Sequence, residues 1–478
     1  MLVQILNPIQ SKLIVGDKNI LTSTMSYRTH VYRRCMDEKK GYRIKKRCEY
    51  DAPVIDKDGF FLTGYIPRMI QFALDAKIPM EIQGIQLPVR ASWYGKFPDI
   101  PLDAKKEIAR KLREDGPWPI ILRNDQKDVI RQIHLKGRGV ILSPTGSGKT
   151  VMMLATVLFH YDHLNFLIIT PNTDLVKQGV EDFKPFFKEG EIGWITGDEI
   201  EPARITFTNI QKFNRLDASE WHDNIDIVIV DECHHVNSLK GTYAKVLKSI
   251  PAHMRLGFTA TPPYEPEGIM ALEGLIGPTI GTVEMETLID EGVLAKPKLR
   301  LLKVPYNHKI HELEVYSQVY EEGVVHNRVR NRMILKESQR LVNKGLTVLT
   351  LVSRIEHGDN LERMAKVMFP DLRLRWIHGI TEKEARAKVQ QHLQQKDVDV
   401  VIASYIWREG INIPSLGAVI NAAGGKFDIF PQQAMGRGLR IAPGKTEVIL
   451  VDFFDPSHHY LIDHFGHRLS LYFDLGWL

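Results

Sequence analysis

Five side chains that could bind a metal ion or transfer a proton follow one another at residues 231–235, in the sequence DECHH. The apolar run before them, IDIVIV, is typical of a buried parallel strand. Zinc ligands must be spaced so that they converge, and five consecutive residues cannot all converge. A phosphoryl-transfer site suits the two acids better, because one carboxylate can hold Mg²⁺ while the other deprotonates the attacking water. We expect Asp231 to bind the metal ion and Glu232 to be the catalytic base.

A glycine-containing loop upstream supplies the other half of such a site. The run GVILSPTGSGKT is followed by VMMLATVLF, which is the strand–loop–helix context of the Walker A motif with Ser143 in place of its first glycine. Gly146 and Gly148 let backbone N–H groups point at phosphate oxygens beside a helix N-terminus. Lys149 can reach the β- and γ-phosphates, and the Thr150 hydroxyl can bind Mg²⁺. The predicted ATP-binding residues of this loop are Gly146, Ser147, Gly148, Lys149 and Thr150.

The elements that must position these residues form two series of short apolar runs that alternate with helical patterns. The first series is GVILS, FLIIT, IDIVIVDE and MRLGFTAT; the second is LTVLTLVS, LRLRWIH, VDVVIAS, LGAVINAA and TEVILVDF. This alternation predicts two α/β units in tandem, each with a parallel sheet. We expect a long helical segment, from about residue 311 to 343, to open the second unit, and a helix in the tail to pack on it.

Residues 1–95 follow a different pattern, in which short β-like runs, a turn at residues 57–59 and one helical stretch predict a small α+β domain. Residues 26–50 hold nine basic and three acidic side chains, so this segment alone accounts for the net charge of +5 of the whole chain. Arg43, Lys45 and Arg47 alternate, so on a strand they share one face that suits nucleic-acid phosphates. The alternative is a charged strand that only faces solvent.

Composition and length bound the class of protein. A chain of 478 residues is too long to fold around one compact core. Its contents of 44% apolar and 25% charged residues are typical of a globular protein. No apolar run reaches the length of a membrane span, so we expect no membrane association. Three cysteines without a CxxC pair argue against a disulfide framework and a structural zinc site. We expect Cys233 to be a small buried residue.

The order of further motifs over residues 120–455 resembles that of superfamily 2 helicases. DECHH is similar to a DEAH-like motif II, LRNDQKD resembles the adenine-reading element, and TPNTDLVKQ and FTNIQKF resemble motifs Ia and Ib. TATP, LVSRIEHGDNL, IASYIWREGINIP and QQAMGRGLR look like motifs III, IV, V and VI. Motif II is not DEAD and motif III is not SAT, so the chain looks closer to the DNA-directed branch than to DEAD-box RNA helicases.

The resemblance implies an α/β fold of two tandem RecA-like parallel-sheet domains with ATP in the cleft between them. The predicted boundaries are a small basic α+β DNA-binding domain at 1–95, a linker at 96–118, a first RecA-like domain at 119–295 and a second at 296–478. Arg123 and Gln126 would then read the adenine. Arg437 and Arg440 would be arginine fingers at the γ-phosphate, and Gln433 would report the nucleotide state to His234.

The resemblance also implies contacts with a nucleic-acid backbone. Motifs Ia, Ib, IV and V would supply the hydroxyls of Thr170, Thr208, Ser353 and Ser404, although capping or turn roles explain the same hydroxyls equally well. The amino-terminal segment is similar in layout to the small domain of UvsW-like bacteriophage helicases, which act on forks and Holliday junctions. Arg43, Lys45 and Arg47, whose alternation suits nucleic-acid phosphates, lie in this segment and are predicted to bind DNA.

The sequence therefore predicts an ATP-dependent DNA helicase that unwinds and branch-migrates forked or Holliday-junction DNA, with ATP and Mg²⁺ as cofactors. We expect a monomer that binds DNA in the cytoplasm of a host cell. Two alternatives stay open, namely a duplex DNA translocase that serves a partner protein and an RNA helicase. An ATPase that is only a switch is disfavoured, because both acids and both arginines of the motif set are present.

Overall fold

The computed structural model describes residues 1–7, 9–16, 26–36, 43–84, 122–159, 164–197, 199–216, 224–263, 265–378, 389, 392, 397–404, 416–425 and 445–478. These residues form two compact units, of which one contains Met1–Ser143 and Gly148–Val283 and the other contains Pro144–Ser147 and Glu284–Leu478.

The amino-terminal elements are those of a small α+β domain, as predicted. They are β1 (Leu2–Ile5), β2 (Gln10–Val15), β3 (Ser26–Met36), β4 (Arg43–Pro53), β5 (Phe60–Leu62), α1 (Ile66–Asp75) and β6 (Glu81–Gly84). One sheet has the order β5-β2-β1-β6, and β3 and β4 form a separate antiparallel pair. The turn before β5 is held by the Asp56 side chain, which accepts bonds from the N–H groups of Asp58 and Phe60, both at 2.9 Å.

The first parallel sheet has eight strands in the order β10-β9-β11-β8-β12-β13-β7-β14. Every pairing is parallel except that of the short edge strand β10 with β9. Its elements are α2 (Asn124–Lys136), β7 (Arg138–Leu142), α3 (Lys149–Phe159), β8 (Phe166–Thr170), α4 (Thr173–Phe183), β9 (Ile192–Thr196), β10 (Glu199–Glu201), β11 (Ile205–Asn209), α5 (Ile210–Phe213), β12 (Ile227–Asp231), α6 (Thr242–Ser249), β13 (Met254–Thr259), α7 (Pro266–Leu275) and β14 (Thr279–Thr282).

The four apolar runs predicted for this unit are its four neighbouring strands β8, β12, β13 and β7. Their side chains are almost all buried, which is why their sequences are continuous rather than alternating apolar runs. Since these strands are parallel, their carboxyl ends lie at one edge, where Asp231 pairs in register with Phe258 and Phe258 with Ile141. That edge holds the residues expected to bind ATP.

The second parallel sheet has six strands, all parallel, in the order β15-β20-β19-β16-β18-β17. All five predicted strands are present, and β15 was not predicted. Its elements are α8 (Met285–Asp290), β15 (Lys296–Lys303), α9 (His308–His311), α10 (Tyr316–Tyr320), α11 (Arg328–Val342), β16 (Thr347–Leu351), α12 (Ile355–Met368), β17 (Leu374–Ile377), β18 (Val400–Ala403), β19 (Leu416–Asn421), β20 (Glu447–Phe454) and α13 (His459–Asp474).

The prediction of one long helix at about 311–343 is wrong, because α10 and α11 are separated by a wide π-type turn at Glu321–Val325. Gly323 lies so close to its neighbours that a Cβ there would be 3.0 Å from Ile310 and 3.1 Å from Leu461. Asn327 then starts α11 as its N-cap, since its side chain accepts a bond from the N–H of Arg330. The tail helix α13 packs on the sheet as predicted, with the Tyr472 hydroxyl 2.8 Å from a carboxylate oxygen of Asp452 in β20.

The small domain is docked on α7 of the first parallel-sheet domain. Met270 of α7 belongs to the same buried cluster as Tyr65, whose hydroxyl donates to the Met270 carbonyl at 2.8 Å. Two glycines permit this approach: a Cβ at Gly64 would be 2.2 Å from the Glu273 carbonyl oxygen, and one at Gly274 would be 2.6 Å from the Tyr65 ring. The two parts of this unit therefore share one core.

Candidate active site

The predicted phosphate loop follows β7 and begins at a fixed point. The N–H of Ser143 donates to the carbonyl of Thr259 at 2.9 Å, which joins the loop to the end of β13. Gly146 and Gly148 have left-handed backbones, with φ of 89° and 88°. Residues with a Cβ are strained there, so both glycines are needed for the curl that turns N–H groups inward. Ser143 itself is buried and replaces the usual first glycine without disturbing the strand.

The end of the loop leads into α3, whose first two residues are Lys149 and Thr150. Ser147 is fully buried, and its hydroxyl donates back to the Pro144 carbonyl at 2.7 Å, so it stabilises the loop rather than facing outward. Thr150 is half-buried. Its hydroxyl and the Asp231 carboxylate are the oxygen ligands that Mg²⁺ prefers.

The predicted adenine-reading residues lie directly beside this loop. A Cβ at Gly148 would be 2.6 Å from the Gln126 side-chain nitrogen and 3.9 Å from an Arg123 guanidinium nitrogen. Gln126 is buried and accepts a bond from the Arg123 backbone N–H at 3.1 Å. The Arg123 guanidinium is held by two bonds to Asp125, at 3.0 and 2.7 Å. The structure thus places Arg123 and Gln126 beside the glycine loop. A residue larger than glycine at 148 would fill the space between the loop and these two side chains.

Lys149 and Glu232 form a buried ion pair, with Lys149 Nζ 2.8 Å from Glu232 Oε1 and both side chains 13% exposed. Burial lowers the pKa of Lys149, but the carboxylates of Glu232 and Asp231 outweigh burial and raise it. Burial likewise raises the pKa of Glu232, but Lys149 and His234 outweigh it and hold that pKa well below its usual range. Both side chains are therefore charged at neutral pH.

Glu232 has an unusual backbone, with φ of 49° and ψ of 50°. Its N–H donates to a carboxylate oxygen of Asp231 at 3.0 Å, which helps to hold this left-handed conformation. Among the described residues, only Lys77 shares a positive φ without being glycine. Strained backbone of this kind is concentrated at functional sites, and here it occurs at the predicted base.

His234 connects the DECHH segment to the TATP segment. Its Nδ1 is 3.0 Å from the Thr259 hydroxyl and 3.4 Å from Glu232 Oε2. The Thr259 oxygen in turn bonds the backbone of Thr261, with both bonds at 3.1 Å. Burial lowers the pKa of His234. His234 thus has a described partner in Thr259, to which the TATP motif by itself assigns no role.

Cys233 is fully buried, as predicted, and a Cβ at Gly257 of β13 would lie 2.8 Å from its sulfur. Burial raises the pKa of the Cys233 thiol. Within the part of the chain that the structure describes, no three His, Cys, Asp or Glu side chains are grouped so that they could hold a metal ion.

The hydroxyls predicted to contact a nucleic-acid backbone differ in their surroundings. Thr170 and Thr208 are buried and donate to backbone carbonyls, Thr170 to Asn172 at 3.0 Å and Thr208 to Asn209 at 3.2 Å. These contacts favour the structural alternative for both threonines. Ser404 is also buried, at the end of β18. Ser353 is half-buried, follows β16 and bonds the Tyr320 hydroxyl.

Gln433, Arg437 and Arg440 lie outside the described residues. The backbone of β4 is described and contains the predicted basic strand, so Arg43, Lys45 and Arg47 occupy alternate positions of a real strand.

Two family models match the chain, in the order that the two parallel sheets follow. Residues 119–264 match the model described as type III restriction enzyme, res subunit, and residues 330–442 match the helicase conserved C-terminal domain. Together they cover more than half of the chain. The chain belongs to superfamily 2 of the helicases. The candidate nucleotide site described above lies in the first matched region, and the predicted arginines lie in the second.

Relatives and solved structures agree with this assignment. The chain is 21% identical over 447 residues to the ATP-dependent DNA helicase uvsW of Enterobacteria phage T4, which covers 88% of this chain and 85% of that one. It is 24% identical over 379 residues to the DNA 3'-5' translocase XPB2 of Sulfurisphaera tokodaii, covering 71% and 84%. Across several other curated relatives, the chain spans only 56% to 62% of their length.

The fold has a solved counterpart in Dbp5 of S. cerevisiae, a structure with RNA and ADP BeF3. Its TM-score is 0.53 at 15% identity, with 81% of this chain and 93% of that chain covered. At this identity the likeness concerns the fold alone, and it confirms the two tandem RecA-like domains. Among the described helices, none combines the length and apolar character that crossing a membrane demands.

Proposed function

We propose that this chain is an ATP-dependent DNA helicase that unwinds and branch-migrates forked or Holliday-junction DNA. The observation that carries the ATPase is the buried Lys149–Glu232 pair beside a loop with two left-handed glycines. DNA as the substrate is supported by the names of the phage T4 and S. tokodaii relatives. Branched DNA is supported by the resemblance of the small domain to UvsW-like enzymes. The proposed working unit is a monomer, and the proposed site of action is the cytoplasm of a host cell.

The residues present fit a nucleotide and its metal ion. When bound, ATP would supply the phosphoryl group for hydrolysis, with Mg²⁺ neutralising its charge. Backbone N–H groups of residues 146–148 and the ammonium group of Lys149 would bind the phosphates, while Arg123 and Gln126 would bind the adenine. Thr150 and Asp231 would hold the metal ion.

Glu232 is proposed as the base, and its neighbours control how readily it takes a proton. The charge of Lys149 keeps the pKa of Glu232 low, so the carboxylate is a weak base while the two are paired. It gains basicity when Lys149 turns to another anion, such as a phosphate, because one of the two neighbours that lower its pKa is then lost. This links proton transfer at Glu232 to occupancy of the phosphate loop.

The motif VI residues complete the proposal. Arg437 and Arg440 would stabilise the charge that develops on the phosphoryl oxygens in the transition state. Gln433 would report the nucleotide state to His234, whose bond to Thr259 carries the signal to the TATP segment.

A second candidate function is translocation along duplex DNA without strand separation. The likeness to the DNA 3'-5' translocase XPB2 favours it, because that match covers 84% of the relative. In that case a partner protein would use the movement. RNA unwinding is the further alternative, since motors of this family hold the backbone and base contacts carry little of the binding.

The deciding experiment is ATP-dependent processing of a synthetic four-way DNA junction. A flayed DNA duplex, an RNA duplex and the Lys149→Ala protein are run alongside. The proposal predicts that the junction is converted to forks faster than the flayed duplex opens, and that Lys149→Ala is inactive.

Two results would overturn it. ATP hydrolysis on duplex DNA with no strand separation on any substrate would assign the protein to the translocases. Opening of the RNA duplex in preference to both DNA substrates would assign it to the RNA helicases.

A further inference from the structure

Three buried side chains hold the short segment that leaves β19, residues 422–425, which we call the β19 exit segment. They come from α10, α11 and α13, and each donates to a backbone carbonyl of the segment. The bonds are Tyr320 to Ala423 at 2.5 Å, Arg330 to Ala422 at 2.8 Å and Arg468 to Gly425 at 2.7 Å. In the sequence, the predicted motif VI residues Gln433, Arg437 and Arg440 follow the exit segment.

Tyr320 differs from the two arginines because its hydroxyl has a second partner, the Ser353 hydroxyl. A carbonyl oxygen can only accept, so Tyr320 must give its single proton to Ala423. Ser353 must then donate its own single proton to the Tyr320 oxygen. The three groups form a chain of hydrogen bonds with one direction, from Ser353 through Tyr320 to Ala423.

Ser353 is more exposed than its partner Tyr320. It is half-buried, whereas Tyr320 is only 5% exposed. It precedes α12, whose amino-terminal end favours an anion, and the next residue, Arg354, is exposed. Burial raises the pKa of Tyr320, so its hydroxyl keeps its proton across the neutral range.

A phosphate of a nucleic-acid backbone offers only acceptor oxygens, so Ser353 would have to donate to it. With one proton, Ser353 cannot donate to a phosphate and to Tyr320 at the same time. We propose that Tyr320 is a positioning residue that couples DNA contact at Ser353 to the β19 exit segment, and thereby to the arginines expected at the γ-phosphate. This inference rests on the proposed function, because it takes Ser353 as a DNA contact and Arg437 as a catalytic group.

The test is the substitution Tyr320→Phe, which keeps the ring and removes both hydrogen bonds. ATP turnover is measured against the concentration of a single-stranded oligodeoxynucleotide, for this variant and the wild type. The ratio of DNA-saturated to DNA-free kcat is expected to fall about fivefold, the effect of one neutral hydrogen bond. The DNA concentration for half-maximal stimulation should not rise, because Ser353 no longer has a competing acceptor within the protein.

Tyr306→Phe is the matched control. It also removes one tyrosine hydroxyl bond, that to His311 at 2.9 Å, in an exposed part of the same unit. Its stimulation ratio should equal that of the wild type. Ser353→Ala should lower the ratio and also weaken DNA binding, and adding Tyr320→Phe to Ser353→Ala should lower the ratio no further.

The outcomes separate this coupling from the proposed function. If DNA does not stimulate the wild type, the proposed function and the coupling both fail. If DNA stimulates the wild type and Tyr320→Phe alike, only the coupling fails. It also fails if Tyr320→Phe weakens DNA binding as much as it lowers stimulation, or if the two substitutions act additively, since Tyr320 would then only support the local structure.

Discussion

At the scale of single residues, Glu232 combines a strained backbone with a buried charge. A left-handed conformation costs a non-glycine residue on the order of 1–3 kcal/mol. The Asp231 side chain offsets part of this cost through its bond to the Glu232 N–H, and Lys149 and His234 hold the carboxylate. The consequence is that both acids of the segment are fixed in place next to the phosphate loop.

Removing either partner of the buried ion pair is expected to abolish ATP turnover. Lys149→Ala and Glu232→Gln should each lower kcat by more than about 100-fold, the usual contribution of a positioned acid–base or phosphate-binding group. Steady-state ATPase assays measure this, with Lys136→Ala, an exposed lysine near the end of α2, as the control. A Lys149→Ala or Glu232→Gln protein with near-normal turnover would show that the site is assigned wrongly.

The ionised state of Glu232 also predicts a dependence of stability on pH. The pKa of Glu232 is lower in the folded protein than in the unfolded chain, where it is about 4.3. The ion pair therefore stabilises the fold at pH values above about 4.3, and this stabilisation is lost as the pH falls below that value. The wild type and Glu232→Gln should differ in free energy of unfolding, and this difference should become smaller by about 1 kcal/mol as pH falls from 7 toward 3.5. Urea unfolding across this range measures the difference, and a constant or widening difference contradicts the pairing.

At the scale of elements, the contact between the small domain and α7 depends on the absence of two side chains. Gly64 lies in the short helical turn Thr63–Tyr65, and Gly274 lies near the end of α7. Backbone carbonyls, which cannot move aside as a flexible side chain can, face the missing Cβ of Gly64. The docking therefore has one permitted geometry.

Gly64→Ala is expected to destabilise this contact by about 1–3 kcal/mol, the cost of overpacking a well-packed region. Thermal unfolding followed by tryptophan fluorescence measures the loss. Gly466→Ala is the control, because Gly466 of α13 has open space around its missing Cβ and should gain slight stability from the better helix former. Equal melting temperatures for Gly64→Ala and the wild type would mean that the contact is looser than described.

The β3–β4 pair is the element expected to bind DNA outside the motor. Changing Arg43, Lys45 and Arg47 together to Gln should weaken DNA binding and lower the slope of log K against log salt by about 2–3 units. Fluorescence anisotropy over a salt series measures both. The same change at three exposed lysines, Lys188, Lys309 and Lys344, is the control. An unchanged slope in the first variant would favour the solvated-strand alternative.

At the scale of the whole molecule, the four buried neighbouring strands of the first sheet were predictable, and the edge strand β15 of the second sheet was not. Strands β8, β12, β13 and β7 are continuous apolar runs because both faces are covered. By contrast, β15 reads KPKLRLLK, since it lies at a sheet edge where most of its side chains are exposed. The prediction of one helix at 311–343 is wrong because a glycine inside a helical pattern does not reveal the close contact that Gly323 makes.

The candidate site was predictable as a set of residues but not as a set of contacts. The spacing in GSGKT and DECHH predicts which groups lie at the candidate site. It does not reveal the left-handed Glu232, the approach of Gln126 to Gly148, or the bond between His234 and Thr259. Tyr320 carried no sequence signal, because its partners are 33 and 103 positions away.

Catalysis by the whole chain should require its second half. Arg437→Ala is expected to leave ATP binding within about twofold of the wild type and to lower hydrolysis by about 10³-fold or more, as loss of an arginine finger does. Binding of a fluorescent nucleotide and single-turnover hydrolysis measure the two effects. Loss of binding together with hydrolysis would contradict the assignment of Arg437 to the transition state.

The antiparallel edge strand β10 has a consequence for how the protein behaves at high concentration. An open sheet edge is a template on which a strand of another copy can pair. Here the eight-stranded sheet ends in three exposed residues, two of which, Glu199 and Glu201, carry negative charge. If the β10 strands of two copies approached each other, the carboxylates of Glu199 and Glu201 on one copy would face those on the other. The edge therefore repels self-association, and the exposed Ile200 between the two acids does not become a point of aggregation.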